Sequence, residues 1–153
     1  MENLNKSKEF EAMMAGIKAG VQLDKYKVED LAHDGGAVSL TRIAKLRRIE
    51  MPVFIEADLY YKTLYWDMDL SDKFGVRTAL YDRVVSFMDF FACNVFPMLV
   101  QDEDTVVPFH TMTVNANSGE TEIFNMQAKL VKRTRSGAPA VLIFTHNSPL
   151  ATF

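Results

Sequence analysis

Residues 121–145 read TEIFNMQAKLVKRTRSGAPAVLIFT. In the first half, Phe124, Met126, Ala128 and Leu130 alternate with Asn125, Gln127, Lys129, Val131 and Arg133. A period of two is the mark of a strand that buries one face. Arg135–Pro139, with Gly137, has turn-forming composition, and Ala140–Thr145 is an apolar run of strand length. The stretch therefore predicts a closing β-hairpin. Strand phase also gives Lys129 and Arg133 a common face away from the core and leaves Lys132 on the opposite phase.

Working back from this hairpin, Asn115–Gly119 reads as a turn. Val106–Val114 and Met98–Gln101 read as short strands around the acidic turn Asp102-Glu103-Asp104, with Pro108 indicating an edge or a bulge. A long helix is predicted from Phe74 to Asn94, capped by Ser71-Asp72 and closed by Pro97. Its wide apolar arc of Phe74, Leu80, Tyr81, Val84, Phe87, Met88 and Phe91 implies burial on a sheet. Val53–Asp67 alternates Val53, Ile55, Ala57, Leu59, Tyr61 and Tyr65 against Glu56, Asp58, Tyr60, Lys62 and Trp66, which predicts a strand. Ala37–Arg48 fits both a strand and a helical stripe; its β-branched content favours the strand. His33-Asp34-Gly35-Gly36 is a breaker after a short helical turn at Val28–Ala32, and Lys8–Ala19 carries Phe10, Met13, Met14 and Ile17 at helical spacing.

These elements define an α+β fold: an antiparallel sheet of about five to six strands packed by one long central helix, with an amphipathic N-terminal helix. At 153 residues the chain fits a single domain, 1–153, with a helical region over 1–36 and the sheet and long helix over 37–153. Hydrophobic residues at 48% and charged residues at 24% are globular values and exclude wholesale disorder. The single cysteine, Cys93, lies in the apolar run Phe87–Phe96 and is expected to be buried; it excludes an internal disulfide. Met1–Phe10 lacks the apolar centre of a signal peptide, and no run of 18 apolar residues stands out, so a cytoplasmic protein without a membrane partner is expected.

Charge carries the functional expectation. Arg42, Lys45, Arg47 and Arg48 within Ala37–Arg48, and Lys129, Lys132, Arg133 and Arg135 within Gln127–Arg135, are eight of the 17 Lys and Arg, with no acid between them. The remainder holds nine cations against 20 acids. Such local fields attract polyanions even on a mildly anionic molecule. If the two segments share a sheet face, cations for phosphates meet flat rings for base stacking at Tyr60 and Trp66, the general recipe for single-stranded RNA or DNA binding. The expected nucleic-acid site is Lys45, Arg47, Arg48, Tyr60, Lys62, Trp66, Lys129, Lys132, Arg133 and Arg135. The surplus of Phe and Met, with Phe90 and Phe91 adjacent, points to subunit contacts and a homo-oligomer, here a dimer. A self-assembling structural or adaptor protein without catalytic activity is the alternative, and Lys and Arg on an outer strand would then keep an edge soluble.

Two further patterns occur in the sequence. Val28–Arg48 resembles a DNA-binding helix-turn-helix in the spacing of Ala32 and Gly36, although the next core position falls at Ile43, one residue late. His146-Asn147-Ser148 is similar to the His-x-Thr/Ser pattern of two-histidine phosphoesterases, whereas His110-Thr111-Met112 departs from it. His33, His110 and His146 lack neighbours at metal-ligand spacing, and Asp67, Asp69 and Asp72 read as a solvated turn with a capping acid. No metal, no cofactor and no catalytic residue is expected, and a binding protein is favoured over an enzyme.

Overall fold

The computed structural model describes residues 26–65, 80–114 and 120–153. The expectations for Lys8–Ala19, Trp66, the start of the long helix and the Asn115–Gly119 turn lie outside those residues. The described elements are α1 (Val28–His33), β1 (Ala37–Ser39), α2 (Thr41–Leu46), β2 (Val53–Glu56), α3 (Ala57–Thr63), α4 (Leu80–Asn94), α5 (Phe96–Gln101), β3 (Val107–Val114), β4 (Thr121–Val131) and β5 (Ala140–Thr145), followed by a 3₁₀ turn at Pro149–Thr152. The fold is α+β. Its sheet has five strands in the order β1-β2-β5-β4-β3, antiparallel except where β2 runs parallel to β5.

The closing hairpin forms as its alternation predicts, with Met126 opposite Thr145 and Val131 opposite Ala140. Gly137 sits in the turn at φ 79°, a conformation open to glycine because it has no Cβ. β5 is the central strand and is buried on both faces. Val141 and Ile143 face a core made with α2, α4 and α5, where Phe87, Met88, Phe91 and Leu99 pack. Leu142 and Phe144 face a second core with Val28 and Leu31 of α1, Phe54, Leu150 and Phe153. A strand covered on both sides needs no polar face, which is why Ala140–Thr145 reads as a continuous apolar run. β3 is an edge strand, and Pro108 sits on it where a missing N–H costs nothing to the ladder interior.

Three sequence expectations are corrected. Val53–Asp67 is not one strand: pairing ends at Glu56 and α3 begins at Ala57. Buried Leu59 and Thr63, and Tyr60 and Leu64 beside them, recur four residues apart, a helical period that the alternation masked. Ala37–Arg48 divides into three residues of strand and a helix: Leu40 N–H makes the last backbone bond to β2, to Val53 O at 2.8 Å, and Thr41 Oγ1 in place of a backbone carbonyl accepts from Val53 N–H at 3.2 Å. The same division removes the helix-turn-helix reading, since β1 stands between α1 and α2. Met98–Gln101 belongs to α5 and not to a strand. Pro97 falls in the first turn of that helix, where its missing N–H is harmless, and bends the path from α4 at Val95.

Two exposures also differ from expectation. Cys93 is exposed on α4. Tyr81, assigned by spacing to the buried arc, is 58% exposed. Against the expectation of no membrane-length apolar run, the stretch Tyr81–Gln101 is long and apolar enough to cross a membrane by length and composition. In the fold its apolar residues Phe87, Met88, Phe91 and Leu99 fill the first core.

Candidate nucleic-acid interface

The two basic segments lie on opposite faces of the sheet. α2 packs through Ala44, with Leu40 before it and Ile49 after it, into the core on the Val141 and Ile143 side. Lys129 sits over the ring of Phe144, on the Leu142 side, with Nζ 5.3 Å from the ring centroid. The single shared surface expected for Lys45 and Arg47 with Lys129 and Arg133 is therefore not formed. Strand phase separates them: Lys129 alternates with Ala128, and Ala128 faces α2's side of the sheet.

Most of the second segment is engaged within the molecule. The ammonium of Lys129 donates to the carbonyl of Ala151 at 2.7 Å, and the guanidinium of Arg133 lies over the Phe153 ring at 5.7 Å. Both hold the C-terminal turn against the sheet. Half-burial, and then the nearby charge of Arg133, lower the Lys129 pKa to about 8. Arg135 bridges to Asp30 of α1 at 2.7 Å, while its backbone N–H donates to the Glu29 carboxylate at 3.2 Å. That bridge raises the Arg135 pKa and lowers that of Asp30. Lys132 is exposed and lines a groove of about 280 Å³ with Lys129 and Arg133, but Glu103 and Asp104 line it too. Carboxylates in that position oppose a phosphate.

The first segment is differently placed. Arg42, Lys45, Arg47 and Arg48 are all exposed, on α2 and the turn that follows. Arg47 pairs with Asp89 of α4; among the described residues, Arg42, Lys45 and Arg48 make no ion pair. The helix ends in a Schellman arrangement, in which Ile49 N–H donates to Ala44 O at 3.0 Å and Arg48 N–H to Lys45 O at 3.1 Å. The residue at the left-handed position is Arg48, with φ 63°. α1 ends in the same way, Gly36 N–H to Leu31 O at 2.9 Å and Gly35 N–H to Ala32 O at 3.2 Å, but there Gly35 takes the left-handed position. An arginine held where glycine is favoured stores about 1–2 kcal/mol of backbone strain, a cost often found at functional positions.

Beside α2 lies an open groove of about 680 Å³, walled by Arg42, Ile43, Leu46, Tyr60, Tyr81 and Val84. Tyr60 comes from α3 and Tyr81 from the first turn of α4. Tyr60 is half-buried and packs edge-on against Tyr61 at 5.2 Å and tilted against Tyr65 at 6.2 Å. Burial above all, and then its two tyrosine neighbours, push the Tyr60 hydroxyl upward in pKa, so it stays a neutral hydrogen-bonding group. Lys62 is exposed on the same helix. Of the expected set, Tyr60 lines this groove, together with Arg42 and Tyr81; Lys45, Arg47 and Arg48 lie on the same helix and its turn but are not among the lining residues, and Lys129, Lys132, Arg133 and Arg135 lie apart from it. Tyr81 was missed because its place in the α4 apolar arc signals burial. No protein-family model, no curated protein and no solved structure matches the chain.

Proposed function

We propose that the protein binds single-stranded nucleic acid across α2 and the adjoining groove. The observation that carries this reading is the exposure of Arg42, Lys45, Arg47 and Arg48 on one short helix and its turn, against a groove with Tyr60 and Tyr81 in its walls. Cations on a surface recruit the backbone by releasing counterions, and open aromatic walls accept unstacked bases of any sequence. A duplex offers no free base to the groove, and α2, at six residues, spans only about 9 Å. The function is that of a binding protein and includes no catalytic step at this surface.

Fluorescence anisotropy with labelled oligo-dT, oligo-U and a hairpin duplex tests the reading. Single strands bind more tightly than the duplex, and Tyr60→Ala and Tyr81→Ala each weaken single-strand binding by about tenfold, within the 1–3 kcal/mol that one stacked base contributes. Absence of single-strand binding at low salt, in protein whose circular dichroism is native, contradicts it.

A second reading, self-association, is favoured by Met112 and Ile123. These two residues sit directly opposite each other on β3 and β4 and are 68% and 55% exposed, beside the outer edge of β3, which pairs with no other strand among the described residues. Antiparallel pairing of β3 with β3 of a second copy would cover them and satisfy that edge. Light scattering reads the outcome: a dimer in the parent and a monomer in Met112→Lys/Ile123→Lys support self-association, and a monomeric parent at high concentration opposes it.

A further inference from the structure

Two of the three histidines, His110 and His146, are brought together on the face of the sheet away from α2. His110 on β3 is directly opposite Asn125 on β4. His146 lies one residue beyond the β4–β5 pair Met126 and Thr145, which carries it toward the same row. Two strand spacings separate His110 from His146, about 10 Å, with Asn125 between them. All three line one shallow groove of about 440 Å³ with Pro108, Phe109, Met126 and Gln127, and no carboxylate is among those lining residues. In a chain with more acids than bases, a groove bounded by two imidazoles and two amides offers hydrogen-bond donors and sets no carboxylate of its lining against a negative ligand.

His146 is held in place by a side-chain hydrogen bond. The side-chain nitrogen of Gln127 stands 3.1 Å from His146 Nδ1. The amide can meet Nδ1 with its N–H, which leaves Nε2–H as a donor, or with its oxygen, which takes Nδ1–H and leaves Nε2 as an acceptor. In either arrangement the bond fixes the orientation of the ring. Among the described residues no group of three or more His, Cys, Asp or Glu is placed to hold a metal ion. Asn125 adds amide N–H groups, and His110 adds a second ring from the far side.

We propose that His110, Asn125 and His146 bind the phosphate group of a small phosphorylated ligand, with Gln127 as the positioning residue that orients His146. A phosphate presents acceptor oxygens on all sides and fits between donors set either side of a central amide. This site is separate from the α2 surface and does not depend on the nucleic-acid reading.

NMR of the imidazole C–H signals tests it, with inorganic phosphate, a nucleoside 5′-monophosphate and a short oligonucleotide as separate titrants and chloride at matched ionic strength as control. The signals of His110 and His146 move together and saturate with phosphate and with the monophosphate, while His33 stays fixed. His146→Gln and His110→Gln each weaken binding about tenfold, and Gln127→Leu weakens it less. Saturation by the oligonucleotide alone overturns the assignment to a small ligand. Equal responses to phosphate and chloride, or shifts no larger than those of His33, overturn the site itself.

Discussion

Lys129 Nζ and the carbonyl oxygen of Ala151 are joined at 2.7 Å, so a strand cation is the tether of the C-terminal turn. The tether has a pH signature. The folded-state pKa of Lys129 is lowered to about 8 by burial and then by Arg133. Between that value and the ordinary lysine value of about 10.4, the unfolded chain keeps a proton that the folded chain has released. Stability therefore rises with pH over that window, and the cost of the half-buried charge is fully present below it. Burial and a hydrogen bond to Asp34 raise the Tyr26 pKa, which has the opposite sign and lowers stability above about pH 10. Urea titrations at pH 7, 8, 9 and 9.5 should show rising stability in the parent and no such rise in Lys129→Met. Equal slopes in both proteins would refute the assignment.

Arg48 tests whether strain has been kept for function. Arg48→Gly relieves the left-handed backbone and, after the entropy cost of glycine, raises stability by up to about 1 kcal/mol. The same change removes a cation from the proposed interface and weakens single-strand binding. Gly35→Ala at the equivalent position of α1 destabilises, because alanine acquires the strain that glycine avoids, although open space surrounds the added methyl. Thermal melts and anisotropy on the same preparations read both effects.

Glu56 links the ends of β2 and β5. Its carboxylate accepts from Thr145 N–H at 3.2 Å, from Thr145 Oγ1–H at 3.0 Å and from the hydroxyl of Ser148. Ser148 Oγ in turn accepts from Leu150 N–H at 3.1 Å and caps the terminal 3₁₀ turn. Glu56→Ala strands these donors and is expected to cost about 1–3 kcal/mol, while Ser148→Ala costs about 1 kcal/mol. Denaturant midpoints check the order: a smaller loss at Glu56 than at Ser148 contradicts the network.

Burial of β5 on both faces makes a prediction that a one-sided strand does not. Leu142→Ala and Ile143→Ala remove side chains from different cores, and each should cost about 2–5 kcal/mol. A strand with one solvated face would show a large loss at only one of the two adjacent positions. Equilibrium unfolding of both variants distinguishes the cases.

The hairpin of β4 and β5 and the edge position of β3 are legible in sequence because alternation, Gly137 and Pro108 act locally. Residues 53–65 are harder, since Leu59 and Tyr61 satisfy a two-residue period while Leu59 and Thr63 satisfy a helical one. The strand ends where its pairing ends, at Ile55 opposite Ile143 of β5 and at Glu56 opposite Ala37 of β1. The candidate interface is legible as charge and illegible as place. Sequence shows that Arg42, Lys45, Arg47 and Arg48 are clustered, but not that Lys129 and Arg135 are occupied by Ala151 and Asp30, contacts that span 22 and 105 residues.

The salt dependence of single-strand binding tests the central claim most directly. Each phosphate contact contributes about −0.7 to the slope of log K against log salt, so Lys45→Gln and Arg48→Gln should each flatten the slope by about that amount between roughly 50 and 300 mM salt. Lys129→Gln and Arg133→Gln should leave the slope unchanged. A slope that responds to Lys129 and Arg133 and ignores Lys45 and Arg48 would contradict the account.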